Sequence, residues 1–183
     1  MDPSANRFNV PRLPTVVLQN LMENFNLIEL ILSKIRSIEE LNIYSEVKNV
    51  PEKFVIPFEA QSIRISMASW ITFAHLDSMK SCDSIEVWDS NLTNEDIQKF
   101  IDNWKQVLYP NLQWLNVDST KLTENFSING LETLEDTINP KTLKKEMFGH
   151  ERIIHGAVRI LRNDGVVGLI RYYKEFKFLH FLL

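Results

Sequence analysis

The 183-residue chain has very little of what most small-domain chemistry requires. It holds one cysteine, Cys82, so no intrachain disulfide can form, and a zinc site would need several histidines to stand in for the missing thiolates. Its five glycines cannot be assembled into any Gly-rich phosphate loop. There is no basic excess either: 20 Lys and Arg face 24 Asp and Glu, for a net charge of −4. The densest basic cluster, Lys141, Lys144 and Lys145, reads as an ordinary solvated face, so nucleic acid is not an expected partner. No apolar run approaches the ~18 residues of a membrane span, and no basic-then-apolar leader opens the chain. The expected setting is intracellular, cytoplasmic or nuclear, without a membrane partner. On that basis the sequons Asn91-Leu92-Thr93 and Asn125-Phe126-Ser127 are read as chance.

What is present is globular: 44% hydrophobic and 24% charged residues allow a real core. Residues 1–12, with Pro3 and Pro11, read as a flexible lead-in. Pro14 suits a first helical turn, and Val17, Leu18, Leu21, Met22 and Phe25 follow at helical spacing. Leu27, Ile28, Leu30, Ile31, Leu32 and Ile35 continue the stripe with more than one apolar face. Residues 37–57 read as a junction that includes Phe54-Val55-Ile56 between Pro51 and Pro57. Ile63, Ile65 and Met67 then alternate with polar residues as a strand, residues 70–79 suggest a short helix, and 84–88 alternate again. Thr93 with Asp96 resembles a capping box, opening a helix whose apolar face is Ile97, Phe100, Ile101, Trp104, Val107 and Leu108. Pro110 ends that helix, and Trp114, Leu115 and Val117 form a third strand.

The two strand–helix passes are about 28 residues apart, within the range of leucine-rich repeats, though a plain βαβ unit explains them equally well. A short helix is expected over 141–148. Near the C-terminus, Asn163-Asp164-Gly165 between Val158, Ile160, Leu161 and Val166, Val167 predicts a β-hairpin with positive φ at both central residues. Phe176, Phe178 and His180 or Phe181 suggest a last strand.

Candidate chemistry is sparse. His150 and His155 bracket Glu151 in a pattern superficially like a zincin, but metal ligands on one helix face need a spacing of four, and here it is five. Cys82 has His75 seven positions earlier as its nearest base, with no evident group to orient that histidine, so it reads as a small core residue. Asp83, Glu86 and Asp89 read as the polar side of a strand edge, and Trp70, Trp88, Phe100, Trp104 and Trp114 as core. No catalytic residue, metal or cofactor is expected, and the chain is not expected to be an enzyme.

Two stretches resemble a known family. In residues 8–37, Phe8, Arg12, Leu13, Pro14, Val16, Val17, Leu18, Leu27, Ile28, Leu30, Ser33 and Lys34 match the F-box of the large nematode F-box families. That F-box is shortened: one residue is missing before Ser33, and no third helix is evident after Arg36. In residues 68–117, Trp70-Ile71-Thr72, Ser81-Cys82, Leu92-Thr93-Asn94 with Asp96, Phe100 with Trp104, and Pro110-Asn111-Leu112 resemble the type-2 F-box-associated domain of the same families. Ile160-Leu161-Arg162-Asn163-Asp164-Gly165 resembles that domain's closing hairpin.

The expected fold is therefore α/β, with α+β as the variant. A small N-terminal helical F-box-like unit (13–44) would precede a strand/helix alternating, leucine-rich-repeat-like domain (54–183) with a C-terminal β-hairpin. The resemblance implies an adaptor of an SCF (cullin-RING) ubiquitin ligase, joining a Skp-type adaptor protein to an unidentified target protein. Leu13, Pro14, Val17, Leu18, Leu21 and Leu30 are the implied adaptor-docking residues, and the sequence names no target-binding residue. The alternative is a stand-alone protein-interaction domain that has lost ligase coupling through its degenerate F-box.

Overall fold

The computed structural model describes residues 13–19, 37–44, 46–47, 59–123, 142–147 and 149–183, with 13–19, 37 and 59 as backbone only. The strands are β1 (Leu13–Gln19), β2 (Ser37–Tyr44), β3 (Glu59–Ser66), β4 (Ser84–Ser90), β5 (Trp114–Ser119), β6 (Thr142–Met147), β7 (His150–His155), β8 (Val158–Leu161), β9 (Val167–Tyr173) and β10 (Phe178–Leu182). Two helices complete the described residues, α1 (Phe73–Asp77) and α2 (Asn94–Lys105). Eight strands form one sheet in the order β1-β2-β3-β4-β5-β10-β9-β8, while β6 and β7 pair separately as an antiparallel hairpin. β1 to β5 run parallel, and β10, β9 and β8 close the sheet antiparallel.

This architecture overturns the expected fold class. The described residues are mostly strand in one mixed sheet, with no N-terminal helical unit and no leucine-rich-repeat-like alternation. Leu13–Gln19, expected as helix, is an outer strand paired with β2. The reason lies in Thr15, Val16 and Val17, whose branched β-carbons disfavour helix and suit a pleated surface. Pro14 is tolerated because an outer strand can forgo one ladder donor, and the pairing steps from Leu13↔Ile38 to Thr15↔Glu40 without it. Ser37–Tyr44, read as part of a junction, is strand β2, and the helix expected over 141–148 is strand β6 over Thr142–Met147. The lead-in, the apolar stripe over 20–36 and Phe54-Val55-Ile56 lie outside the described residues.

The sheet is built on period-2 alternation, so each strand has an apolar and a polar face. Leu41, Ile63, Ile85, Leu115, Phe181 and Ile170 form one register row across six strands, and Ile43, Ile65, Val87, Val117, Leu179 and Tyr172 form another. All are buried. α2 covers this face: Trp104 meets Phe181 edge-on at 4.9 Å, and Phe100 stacks obliquely on Tyr109 at 4.6 Å. Glycine is required at 168 because a Cβ there would come within 2.8 Å of the Phe181 ring and 3.0 Å of Trp104. The helix docks tightly because the strand beneath it lacks a side chain at that point.

Local signals explain the helix starts. At α2, Thr93 Oγ1 accepts from the Asp96 N–H while the Asp96 carboxylate accepts from the Thr93 N–H at 2.9 Å, a reciprocal capping box. At α1 the same role falls to His75, whose Nδ1 accepts from the Thr72 N–H at 3.0 Å. The turn between β8 and β9 is built around Gly165 (φ +90), whose N–H donates to the Arg162 carbonyl at 2.9 Å. Among the turn's residues only Gly165 has positive φ, so this is not the two-residue primed turn expected from Asp-Gly. Arg162 explains the difference: it grips the Asp164 carboxylate through Nε and Nη2, each at 2.9 Å, and closes a wider loop.

Candidate interaction face

Five consecutive parallel strands are ordinarily apolar on both faces, because helices cover both. Here the face turned away from α1 and α2 is polar. Between the two apolar rows runs a third register row, Asn42, Arg64, Glu86, Asn116, His180 and Arg171, contributed by β2, β3, β4, β5, β10 and β9. Its centre is buried, with Glu86 4% and Asn116 1% exposed, and its two ends are partly open.

Glu86 anchors the row. Its Oε1 accepts from Arg64 Nη2 at 3.1 Å and from Arg152 Nη2 of β7, so one carboxylate oxygen is shared by two guanidiniums. Burial works against the Arg64 charge, and Glu86 with a hydrogen bond to Tyr44 holds its pKa above the ordinary arginine value. For Arg152, burial dominates and lowers the pKa despite Glu86. Glu86 was read from sequence as the polar side of a strand edge; it is instead a buried ion-pair centre on an interior strand, β4. A carboxylate there is tolerated only because both guanidiniums compensate its desolvation.

Towards β9 and β10 the row becomes aromatic. Trp114 lies 4.8 Å from His180, which stacks on Phe178 at 4.8 Å, and Phe178 stacks on Phe176 at 5.7 Å. Tyr173 flanks both Phe178 and His180, and Arg171 lies over the Tyr173 ring at 5.6 Å. This ladder runs from a buried indole out to Phe176, which is 69% exposed. Burial pushes the His180 pKa down to about 4, so its imidazole is neutral at neutral pH.

The β6–β7 hairpin lies over part of this face. Met147 and Ile154 pack with Trp114, Leu182 and Ala157 in a small apolar cluster separate from the main core, and Arg152 lies over the Trp114 ring at 5.7 Å. Lys145 Nζ donates to the Leu183 carbonyl at 2.9 Å. Beyond the hairpin, Asn42, Tyr44, Arg64, Ser66 and Trp88 are half-buried on the β2–β4 part of the sheet. The groups gathered here are guanidiniums, an amide and aromatic rings, a set suited to hydrogen bonding and stacking with another macromolecule.

The residues singled out from sequence fare differently. Leu13, Pro14, Val17 and Leu18 lie on strand β1, where only the backbone is described, and Leu21 and Leu30 lie outside the described residues. Cys82 is 1% exposed, and burial helped by Asp83 pushes its thiol up to about 12, so it stays protonated at neutral pH. His75, its supposed partner, caps α1 instead. His150 and His155 lie in strand β7, where an odd spacing sends side chains to opposite faces. Among the described residues no group of three or more His, Cys, Asp or Glu is arranged to hold a metal, and no helix is long and apolar enough to cross a membrane. Of the aromatics read as core, Phe100, Trp104 and Trp114 are buried, whereas Trp70 and Trp88 are half-buried. The polar row itself was missed, because from Asn42 to His180 its neighbouring members are some 20 to 60 residues apart and only the register of six strands aligns them. The available signal was the alternation within 62–66 and 84–88, which implies a second, non-apolar face.

Comparison with known proteins bears on the same segment. Residues 35–117, which hold β2, β3, β4 and most of β5, match the model of a family described as F-box associated. A curated relative, the Skn-1 dependent zygotic transcript 15 protein of Caenorhabditis elegans, is 27% identical over 105 residues. That match covers 56% of this chain and 30% of the relative, so the chain spans about a third of that protein's length. No solved structure matches. Over the strands that carry Asn42, Arg64, Glu86 and Asn116, this chain is similar to the family described as F-box associated.

Proposed function

We propose that this chain is the target-recruiting part of an SCF ubiquitin ligase, and that the sheet face opposite α1 and α2 reads the target protein. The observation that supports this most is the polar row: a mostly parallel sheet turns one face away from both described helices and places arginines, an amide and half-buried aromatics along it. That face lies largely within the segment similar to F-box-associated domains. On this reading the chain performs no chemistry; it raises the target's effective concentration at the ligase. The Skp-type adaptor would be met by the segment around Leu13–Ile35, whose sequence resembles an F-box.

A second reading, a stand-alone interaction domain uncoupled from any ligase, is favoured by one observation. Leu13–Gln19, the start of the F-box-like stretch, is a strand of the main sheet. A binding titration against a purified Skp-type adaptor, with Leu18→Asp as control, separates the two. A carboxylate buried without a partner in an apolar interface costs about 2–4 kcal/mol, so Leu18→Asp should abolish a true F-box contact. Binding that disappears in Leu18→Asp supports the ligase reading. A folded chain that does not bind leaves the stand-alone domain.

A further inference from the structure

The β6–β7 hairpin is attached to the sheet differently from every other described strand. It makes no ladder with the main sheet, and among the described residues no backbone–backbone hydrogen bond joins it to that sheet. Two-stranded hairpins are marginal on their own, so its position depends on what it packs upon. Among the described residues that support is made by side chains. Met147 and Ile154 are its buried apolar side chains, while Leu143 is 42% exposed, and Thr142, Lys144, Glu146, His150, Glu151 and His155 are all exposed. Its charged anchor is Arg152 on Glu86; Lys145 adds a bond to the Leu183 carbonyl, the His155 N–H donates to the Tyr173 hydroxyl at 3.2 Å, and the Ile153 backbone bonds the His180 ring.

The contact it makes is also poorly satisfied. Ser84 Oγ, Trp114 Nε1, Asn116 Oδ1, His180 Nδ1 and Arg152 Nε are buried without a hydrogen-bond partner, and all lie on this face or on the hairpin side chain that enters it. Buried polar atoms are nearly always paired, and five on one face are a concentrated cost of holding the hairpin down. The same five atoms present donors and acceptors to anything that replaces it. The chain leaves the hairpin for β8 through Gly156, held at φ +57 with its carbonyl accepting from Arg171 Nη1 at 3.1 Å. Gly156 is thus a bend of the kind that absorbs a backbone rotation.

We propose that the β6–β7 hairpin is a detachable cover that swings about Gly156, that the Glu86–Arg152 ion pair is its latch, and that its release uncovers the central part of the polar row. The proposal concerns the motion of this chain and stands whether or not the chain joins a ligase.

Hydrogen exchange on the intact chain tests it. A cover that opens by itself lets amides of 142–147 and 150–155 exchange at least about 100-fold faster than those of β4, β5 and β10, which open only with the whole fold. Arg152→Met, which removes the latch charge but keeps a side chain of similar reach, should speed hairpin exchange by a further factor of about ten, and that of β4 and β5 by no more than the same factor, because the latch is lost from the closed state alone. Should the hairpin and the central strands exchange at one common rate in the wild type, the hairpin is part of the cooperative core and the proposal fails. It fails equally if Arg152→Met leaves hairpin exchange at the wild-type rate. The wild-type comparison decides the question even if the variant does not fold.

Discussion

At the scale of single residues, the sheet's polar face is controlled by what burial does to charge. Glu86 is held between two arginines, whereas His180, walled in by Trp114, Phe178 and Tyr173, has lost the ability to hold a charge at neutral pH. The folded His180 titrates near 4, below its ordinary 6.5, so the unfolded chain takes up the proton first as pH falls. Its contribution is therefore complete above pH 6.5 and is lost progressively on acidification towards 4. Urea unfolding of the wild type at pH 7 and pH 5 should show a loss that His180→Gln lacks, about 1 kcal/mol after allowing for partial exposure. Equal losses in both proteins would mean that this imidazole titrates as it does in water. None of this was legible in the sequence, because a histidine's environment comes from strands distant in the chain. By contrast, Cys82 as a small core residue was legible, since an isolated cysteine near a strand start has few other roles.

At the scale of elements, legibility followed the strength of local hydrogen bonding. Thr93 and Asp96 fix the start of α2 by bonds within four residues, and the helix begins at Asn94 where the sequence places it. Thr93→Ala should cost about 1 kcal/mol in chemical unfolding; no change would mean that packing of Ile97, Phe100, Ile101 and Trp104 holds the helix alone. β1 was misread for the opposite reason. Val17, Leu18 and Leu21 satisfy a helical stripe, and the same short run satisfies a strand, so only the partner strand β2 decides between them. β6 repeats the lesson: Thr142–Met147 is a helix-friendly sequence of Lys and Glu, drawn into a strand by its pairing with β7. The hairpin of β8 and β9 was legible from Asp164-Gly165, but its turn geometry was not, because Arg162's grip on Asp164 lies outside turn propensities.

At the scale of the whole molecule, the alternation of β2 to β5 and of β8 to β10 produces one sheet with two unlike faces. One is an apolar floor under α1 and α2; the other is a polar row that begins at Asn42, runs through Glu86 and ends at Arg171. The class was misjudged because strand–helix passes within 62–119 suggested a repeat, whereas β10, β9 and β8 add antiparallel strands to the same sheet. The central claim is that the polar face is where a partner protein binds. The most direct test is capture of proteins from nematode extract by the wild type and by three folded variants, with bound proteins compared by mass spectrometry. Asn42→Glu and Trp88→Ala alter the half-buried open part of that face, and Lys99→Glu alters the exposed side of α2. The account predicts partners that survive Lys99→Glu and fall at least about ten-fold with Asn42→Glu or Trp88→Ala, as loss of a central contact requires. Partners that survive both face variants and are lost with Lys99→Glu would put recognition on the helical side and contradict the account.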